Sequence, residues 1–424
     1  MKKILSLLFA SCLVVCASAE LYTPSRVFEI GFDVGFGADQ NLMPVPDLMK
    51  KELVLDLSEI NDNLDSNGFV FDLFLSTRFF MNLHLENRVD VGLVTELEFV
   101  GSFGLGKALF KFLGEGNEFG ESIDTSINAY TEVFLSASVP VKFKVRNIGI
   151  KVTPSYFIPI LYVPQPDATF SAVSYNDGSM HTEVKADFSM YSVYDLSTVF
   201  TSDFGLQDDF SFDSSLITEM LSSGGVDLDL EAEYPFFSWL DAGAYMHLPI
   251  VPGRLKYKGE GGFSWSATVN PLLDFLLSDD DDASATTMDD PEFRDGKFTT
   301  LDSAYSVNRP FRLGVQAALR PFGNWFTFRP LFGFAARNPF GKDFKAKDSM
   351  FVEYCFAADL RFLYVFNFSF ATEYRNKVFG QSVGIALNFR VMELVTRISF
   401  TSADFLKSWQ GSGVKAVVGL RFGW

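Results

Sequence analysis

Hydrophobic and polar residues alternate along most of this chain. From Val27 to Gly37, Phe28, Ile30, Phe32, Val34 and Phe36 share one face of an extended segment, with Glu29, Gly31, Asp33 and Gly35 on the other. Val89, Val91, Leu93, Leu97 and Phe99 oppose Arg88, Asp90, Gly92, Glu96 and Glu98; Val226, Leu228, Leu230, Ala232 and Tyr234 oppose Asp227, Asp229, Glu231 and Glu233. Successive side chains of a strand point to opposite faces, so a period of two predicts strands with one apolar face. Further units fall at 69–82, 128–139, 148–158, 168–175, 180–194, 239–248, 254–267, 310–320, 325–336, 351–359, 363–374, 378–389, 393–401 and 414–424. The tally is about 17, and strands that run antiparallel all the way round a closed sheet must be even in number. The units at 168–175 and 254–267 alternate poorly and are flanked by Pro and Gly, so the pattern predicts about 16 strands, with 14 as the alternative.

Composition decides what the apolar faces meet. Beyond the amino-terminal leader no segment supplies the roughly 18 consecutive apolar residues of a spanning helix. Yet hydrophobic residues reach 48%, the mean hydropathy is +0.14, and 48 of the 424 residues are Phe. Apolar content spread in this way suits an all-β transmembrane antiparallel barrel, whose strands of about 9–11 residues cross the hydrocarbon layer. Lys2 and Lys3, the apolar run from Ile4 to Val15, and Ala17-Ser18-Ala19 read as an export leader over 1–19, leaving 20–424 as one barrel domain. The rival reading puts a lipid on Cys12 of Phe9-Ala10-Ser11-Cys12. Once the leader is cleaved only Cys355 remains, so no intramolecular disulfide forms.

The last strand narrows the picture. Val414, Ala416, Val418, Leu420, Phe422 and Trp424 form one face; Lys415, Val417, Gly419, Arg421 and Gly423 form the other. This ending resembles the closing strand of bacterial outer-membrane barrels. The resemblance implies the outer membrane of a two-membrane bacterium, lipid as a partner, and a barrel-assembly machinery that reads Val418, Leu420, Phe422 and Trp424. With the leader and the alternation, the chain resembles porins and long-chain fatty-acid transporters of the FadL type. That implies a passive channel or transporter for small or hydrophobic solutes, with no cofactor, metal or covalent chemistry; the alternative is a closed barrel serving as a surface adhesin or structural platform. FadL-type proteins carry an amino-terminal plug with an Asn-Pro-Ala signature. Here the first strand begins at Val27, and Asn270-Pro271 and Asn338-Pro339 lie elsewhere, so a plug would have to come from an inserted loop, such as 101–127 with a short helix over Ala108 to Leu113.

Long connections are expected at 38–68, 101–127, 195–225 and 268–308, and tight turns near 83–87, 235–238, 321–324 and 390–392. An unpaired backbone group in lipid costs several kcal/mol, so the strand near Val27 is expected to pair with the one near Val418. The lumen is then lined by Glu29, Asp33, Asp90, Glu96, Glu132, Asp227, Asp229 and Glu231 from the first two thirds, and by Arg329, Arg361, Arg397, Lys415 and Arg421 from the last. Charges of both signs within low-dielectric walls favour a paired network over a cation-biased pore.

The remaining chemistry is sparse. Asp279 to Asp282 with Asp289 and Asp290 read as a solvated acidic loop rather than a calcium site, and 271–277 as a short apolar helix. His84, His181 and His247 have no evident catalytic partners and are read as incidental; no nucleophile or phosphate-loop motif is present. A net charge of −18 argues against nucleic acid as a partner.

Overall fold

The structure, a computed structural model, describes residues 26–42, 64, 68–85, 89–116, 118, 120–195, 214–269, 286–288, 292–337, 339–340, 344, 346–362, 365–375, 378–402, 405–409 and 411–424. The leader at 1–19 with Cys12, the acidic run Asp279 to Asp282 with Asp289 and Asp290, and the apolar segment 271–277 lie outside the described residues. The chain is all-β. Its first strands are β1 (Phe28–Gln40), β2 (Phe69–Leu85), β3 (Val89–Leu105), β4 (Ser122–Ser138), β5 (Val141–Val145), β6 (Ile148–Val163) and β7 (Asp167–Ser174). Then come β8 (Met180–Ser192), β9 (Gly225–Phe237), β10 (Leu240–Val251), β11 (Gly253–Val269), β12 (Thr286–Met288), β13 (Glu292–Val307) and β14 (Phe311–Leu319). The last are β15 (Phe326–Ala336), β16 (Met350–Phe362), β17 (Phe366–Arg375), β18 (Val378–Asn388), β19 (Met392–Ser402) and β20 (Gly413–Gly423). Short helices interrupt them: α1 (Lys107–Glu115), α2 (Ser214–Ser222), α3 (Ala346–Ser349) and α4 (Phe405–Ser408).

All twenty strands belong to one sheet, and the sheet closes. β1 pairs antiparallel with β20 over Glu29↔Gly423 to Ala38↔Val414, with Val34 opposite Val418, as closure requires. Val27 N–H donates to the Trp424 carbonyl at 2.8 Å, finishing the seam.

Several strands are collinear pieces of one. β3 meets β4 at Val94↔Ser138 and β5 at Val91↔Val141 in unbroken register, so β4 and β5 are one wall strand interrupted at Pro140. β6 and β7 run along β4 in the same way and break at Pro164 and Pro166. β10 and β11 join at Pro252, and β13 and β14 at Pro310. Proline cannot donate to the ladder, so pairing lapses there although the chain does not turn. β8 and β9 form a fifth pair, split by the excursion 193–224. The ring has 16 strands when β7 and β8 are counted beside β6 and β9. Taking every collinear pair once, the circuit runs β1, β2, β3, β4/β5, β6/β7, β8/β9, β10/β11, β13/β14 and β15 to β20, which is 14.

The apolar faces point outward. Phe32, Leu93, Val352, Phe370, Val383, Ile398 and Leu420 are exposed on the outer wall, while the alternate positions Glu29, Glu353, Ser369, Ser399 and Glu393 are buried within. Phe237 and Trp239, Phe322 and Trp325, and Phe28 and Trp424 pair as aromatics beside the tight turns and the seam. Phe340, Leu406 and Trp409 stand exposed at the opposite rim. From Met350 to Phe362, thirteen residues at about 3.3 Å rise and about 40° tilt span roughly 30 Å, enough for the hydrocarbon layer. β2 and β3, of 17 residues each, are longer than any of β15 to β20.

The connections differ in extent from the sequence reading. Strand pairing carries β1 to Gln40 and β3 to Leu105, and within 268–308 β13 occupies Glu292–Val307. Its alternation is masked by Thr, Ser and Gly. The units at 168–175 and 254–267, the weakest in the sequence, are β7 and β11. The expected helix inside 101–127 is α1; its Phe110 packs edge-on against Phe69 at the wall, at 6.1 Å between ring centroids. Gly68, at φ +77°, starts β2 where a Cβ would lie 2.1 Å from the Leu105 carbonyl oxygen.

Candidate functional site: the lumen

Inward-facing side chains meet at three levels, and some of these contacts join strands far apart on the ring. At the end that carries the tight turns, Arg26 and Arg421 flank Glu393, with N···O distances of 3.8 and 4.0 Å. Glu393 is fully buried and Arg26 nearly so. Above them Phe80 lies over Gly31, where a Cβ would come within 2.2 Å of the ring, and the Arg78 and Arg421 guanidiniums sit 5.4 and 5.5 Å from the ring centroid. Glycine at 31 is what lets the aromatic turn inward.

The middle level is ionic. β9 presents Asp227 and Asp229, β10 presents His247, and the three meet because His247 is in register with Asp229. His247 Nδ1 lies 2.5 Å from Asp229 Oδ1, and Nε2 lies 3.7 Å from Asp227 Oδ2. Arg309, at the β13/β14 junction, reaches Asp227 at 3.6 Å and also interacts with Glu96 and Glu98 on β3 across the lumen. Arg312 and Arg375 hold Glu353 at 3.5 and 3.6 Å. Arg375 also acts on Glu96. Lower on the same wall Lys151 bonds Glu231 at 2.9 Å, and Arg329 bonds Asp359.

The upper level is aromatic. Tyr191 stacks on Tyr305 at 4.0 Å between centroids, Tyr305 on Tyr162 at 5.6 Å, and Tyr162 meets Tyr130 edge-on at 5.7 Å. Phe134, Phe157, Val193, Leu255 and Val307 are buried beneath them, and Met220 of α2 packs against this cluster. α2 is held beside the β8/β9 split by Tyr156, whose hydroxyl donates to the Leu221 carbonyl, and by Lys256 at 3.7 Å from Glu219. The Tyr130 hydroxyl donates to Glu132 at 2.5 Å, and the Arg337 guanidinium carbon is 5.8 Å from the Tyr130 centroid.

The sequence-derived positions fall at several places in the sheet. Glu29, Asp33 and Arg421 gather at the seam, where Asp33 is in register with Arg78. Asp90 pairs with His84, which lies on β2 rather than in a turn. Lys415 acts on Asp39, and Arg397 lines the wall beside Gly384. Sequence reasoning missed Arg78, Arg309, Arg312, Arg375, Glu353 and Glu393. It also took the histidines as incidental, whereas His247 is central to the ionic level and His181 Nδ1 lies 3.1 Å from Thr268 Oγ1. The one available signal was that Asp229 and His247 flank the Phe237–Trp239 turn at nearly equal distances, as a hairpin pair does. Among the described residues no group of three or more His, Cys, Asp or Glu is arranged to hold a metal ion.

No family model matches the chain, and no curated protein matches it. Among solved structures, the Pseudomonas putida toluene transporter TodX aligns over 95% of this chain and 91% of its own, at 9% identity and a TM-score of 0.45. A Pseudomonas aeruginosa FadL homologue aligns over 94% and 90%, at 9% identity and a TM-score of 0.43. A Rhodopseudomonas blastica porin variant aligns over 93% and 99%, at 11% identity and a TM-score of 0.25.

Proposed function

We propose that this chain is a passive channel or transporter of a bacterial outer membrane, passing small or hydrophobic solutes without covalent chemistry. The observation that carries the reading is a sheet closed on itself, with an apolar outer face and ionic and polar side chains on the inner one. Both carboxylate oxygens of Asp227, Nε2 of His247, Oγ1 of Thr153, Oγ of Ser369, Nδ2 of Asn367 and Asn388, and both oxygens of Glu393 are buried with no protein hydrogen-bond partner. Asp227 and Glu393 are held instead by the charges of Arg309, Arg26 and Arg421, so the inner wall is an ionic and polar surface. An inert scaffold is better served by an apolar packed core. The aromatic upper level adds a surface on which an apolar or ring-bearing solute can rest. In this reading the exposed apolar outer wall meets lipid, and Val418, Leu420, Phe422 and Trp424 serve the assembly machinery.

The test is reconstitution of the purified protein in planar bilayers and in solute-loaded vesicles. Discrete conductance steps, or flux of small or hydrophobic solutes above that of empty vesicles, are expected. A folded, inserted barrel that passes neither ions nor solutes overturns the reading and leaves a closed platform whose long loops do the binding.

A further inference from the structure

Arg337 follows β15 directly, and its backbone N–H donates to the Ser349 carbonyl at 2.8 Å, which fixes the base of the side chain at the rim. Its guanidinium carbon lies 5.7 Å from the ring centroid of Phe351 on β16 and 5.8 Å from that of Tyr130 on β4. On the ring, β4 and β15 are separated by β6/β7, β8/β9, β10/β11 and β13/β14. The contact with Tyr130 is therefore a chord across the lumen. Glu132, bonded to the Tyr130 hydroxyl, interacts with the same guanidinium. On the far side Tyr130 rests against the Tyr162, Tyr305 and Tyr191 shelf, so the bar is braced at both ends.

Building on the transport reading, we propose that Arg337 is the latch of an outer gate, closing the lumen against Tyr130 and Glu132 and opening it when the side chain swings away. The latch differs from the ionic level below in what holds it. Arg309, Arg312 and Arg375 are each tied to carboxylates at 3.5–3.6 Å, whereas Arg337 is solvent-exposed and held by two ring faces together with the charge of Glu132. Exposed cation–π contacts are weak enough to break and re-form thermally.

The test compares single-channel records of the full-length protein with Arg337→Ala, Arg337→Lys and, at the lower crossing, Arg309→Ala, each shown to be a folded barrel by its heat-dependent gel mobility. Arg337→Ala is expected to raise open probability or conductance several-fold, with Arg337→Lys staying near the parent because it keeps the charge over the rings. Unchanged gating in Arg337→Ala, while the parent or Arg309→Ala conducts, refutes the latch and spares the transport reading. Equal opening in Arg337→Ala and Arg337→Lys refutes a cation–π latch in the same way. Silence in all four proteins refutes transport and the latch together.

Discussion

Replacing Glu393 with Ala is expected to be among the most destabilising single changes in this barrel. The carboxylate is fully buried and sits between Arg26 and Arg421 at 3.8 and 4.0 Å. At an effective dielectric of about 20, each pair is worth about 4 kcal/mol of gross attraction. Much of this offsets the desolvation of the three charges. Removing the shared carboxylate leaves two guanidiniums facing each other, and breaking a buried pair in this way costs about 3–5 kcal/mol. Both contacts exceed hydrogen-bond distance, which places the expected loss near the lower figure, about 3 kcal/mol. The assay is urea unfolding of the barrel folded into lipid vesicles, followed by tryptophan fluorescence and gel mobility. Replacing the triad together, Arg26→Met, Glu393→Leu and Arg421→Met, is expected to recover most of the loss, because apolar side chains need no partner. A loss below about 1 kcal/mol in Glu393→Ala refutes the claim that the seam charges hold one another.

Three further outcomes follow from the wall. Leu420→Arg, which puts a cation on the outer face opposite Phe32, is expected to cost about 2–4 kcal/mol in the same titration if that position lies near the bilayer midplane. Gly31→Val drives a side chain into the Phe80 ring and is expected to cost about 1–3 kcal/mol, partly relieved by Phe80→Ala; equal stability of Gly31→Val and the parent contradicts the packing. Trp424→Ala is expected to lower the yield of barrel in the outer membrane several-fold while the protein refolded in vitro stays within about 1 kcal/mol of the parent, since Trp424 is exposed and its carbonyl is unaltered. Quantitative membrane fractionation decides this, and unchanged yield removes the assembly role.

Alternation alone determined much of this protein. The period of two at 27–37, 89–99 and 414–424 specified strands with one apolar face, and with the scattered apolar content implied a closed ring in which the strand near Val27 pairs with the one near Val418; the register that joins them, Val34 opposite Val418, came from the structure. These are local properties, because the pleat sends every second side chain to the same side whatever strand lies next to it. The number of wall strands was harder to read. Pro164, Pro252 and Pro310 look like turns in sequence, yet in space they mark places where a straight strand skips a ladder bond, which only the registers of neighbouring strands reveal. β13 was hidden for a related reason, its Thr and Ser positions carrying too little contrast between faces.

The lumen itself belonged to tertiary structure. Which residues face inward follows from parity, but which of them touch depends on the curvature of the wall and on where each strand sits around it. Glu96 and Arg309 are 213 positions apart and come together only because the ring closes. Tyr130 and Arg337 are paired by the same closure. A chord across a barrel is set by the strand count and stagger of the whole sheet, a long-range quantity that no local pattern encodes.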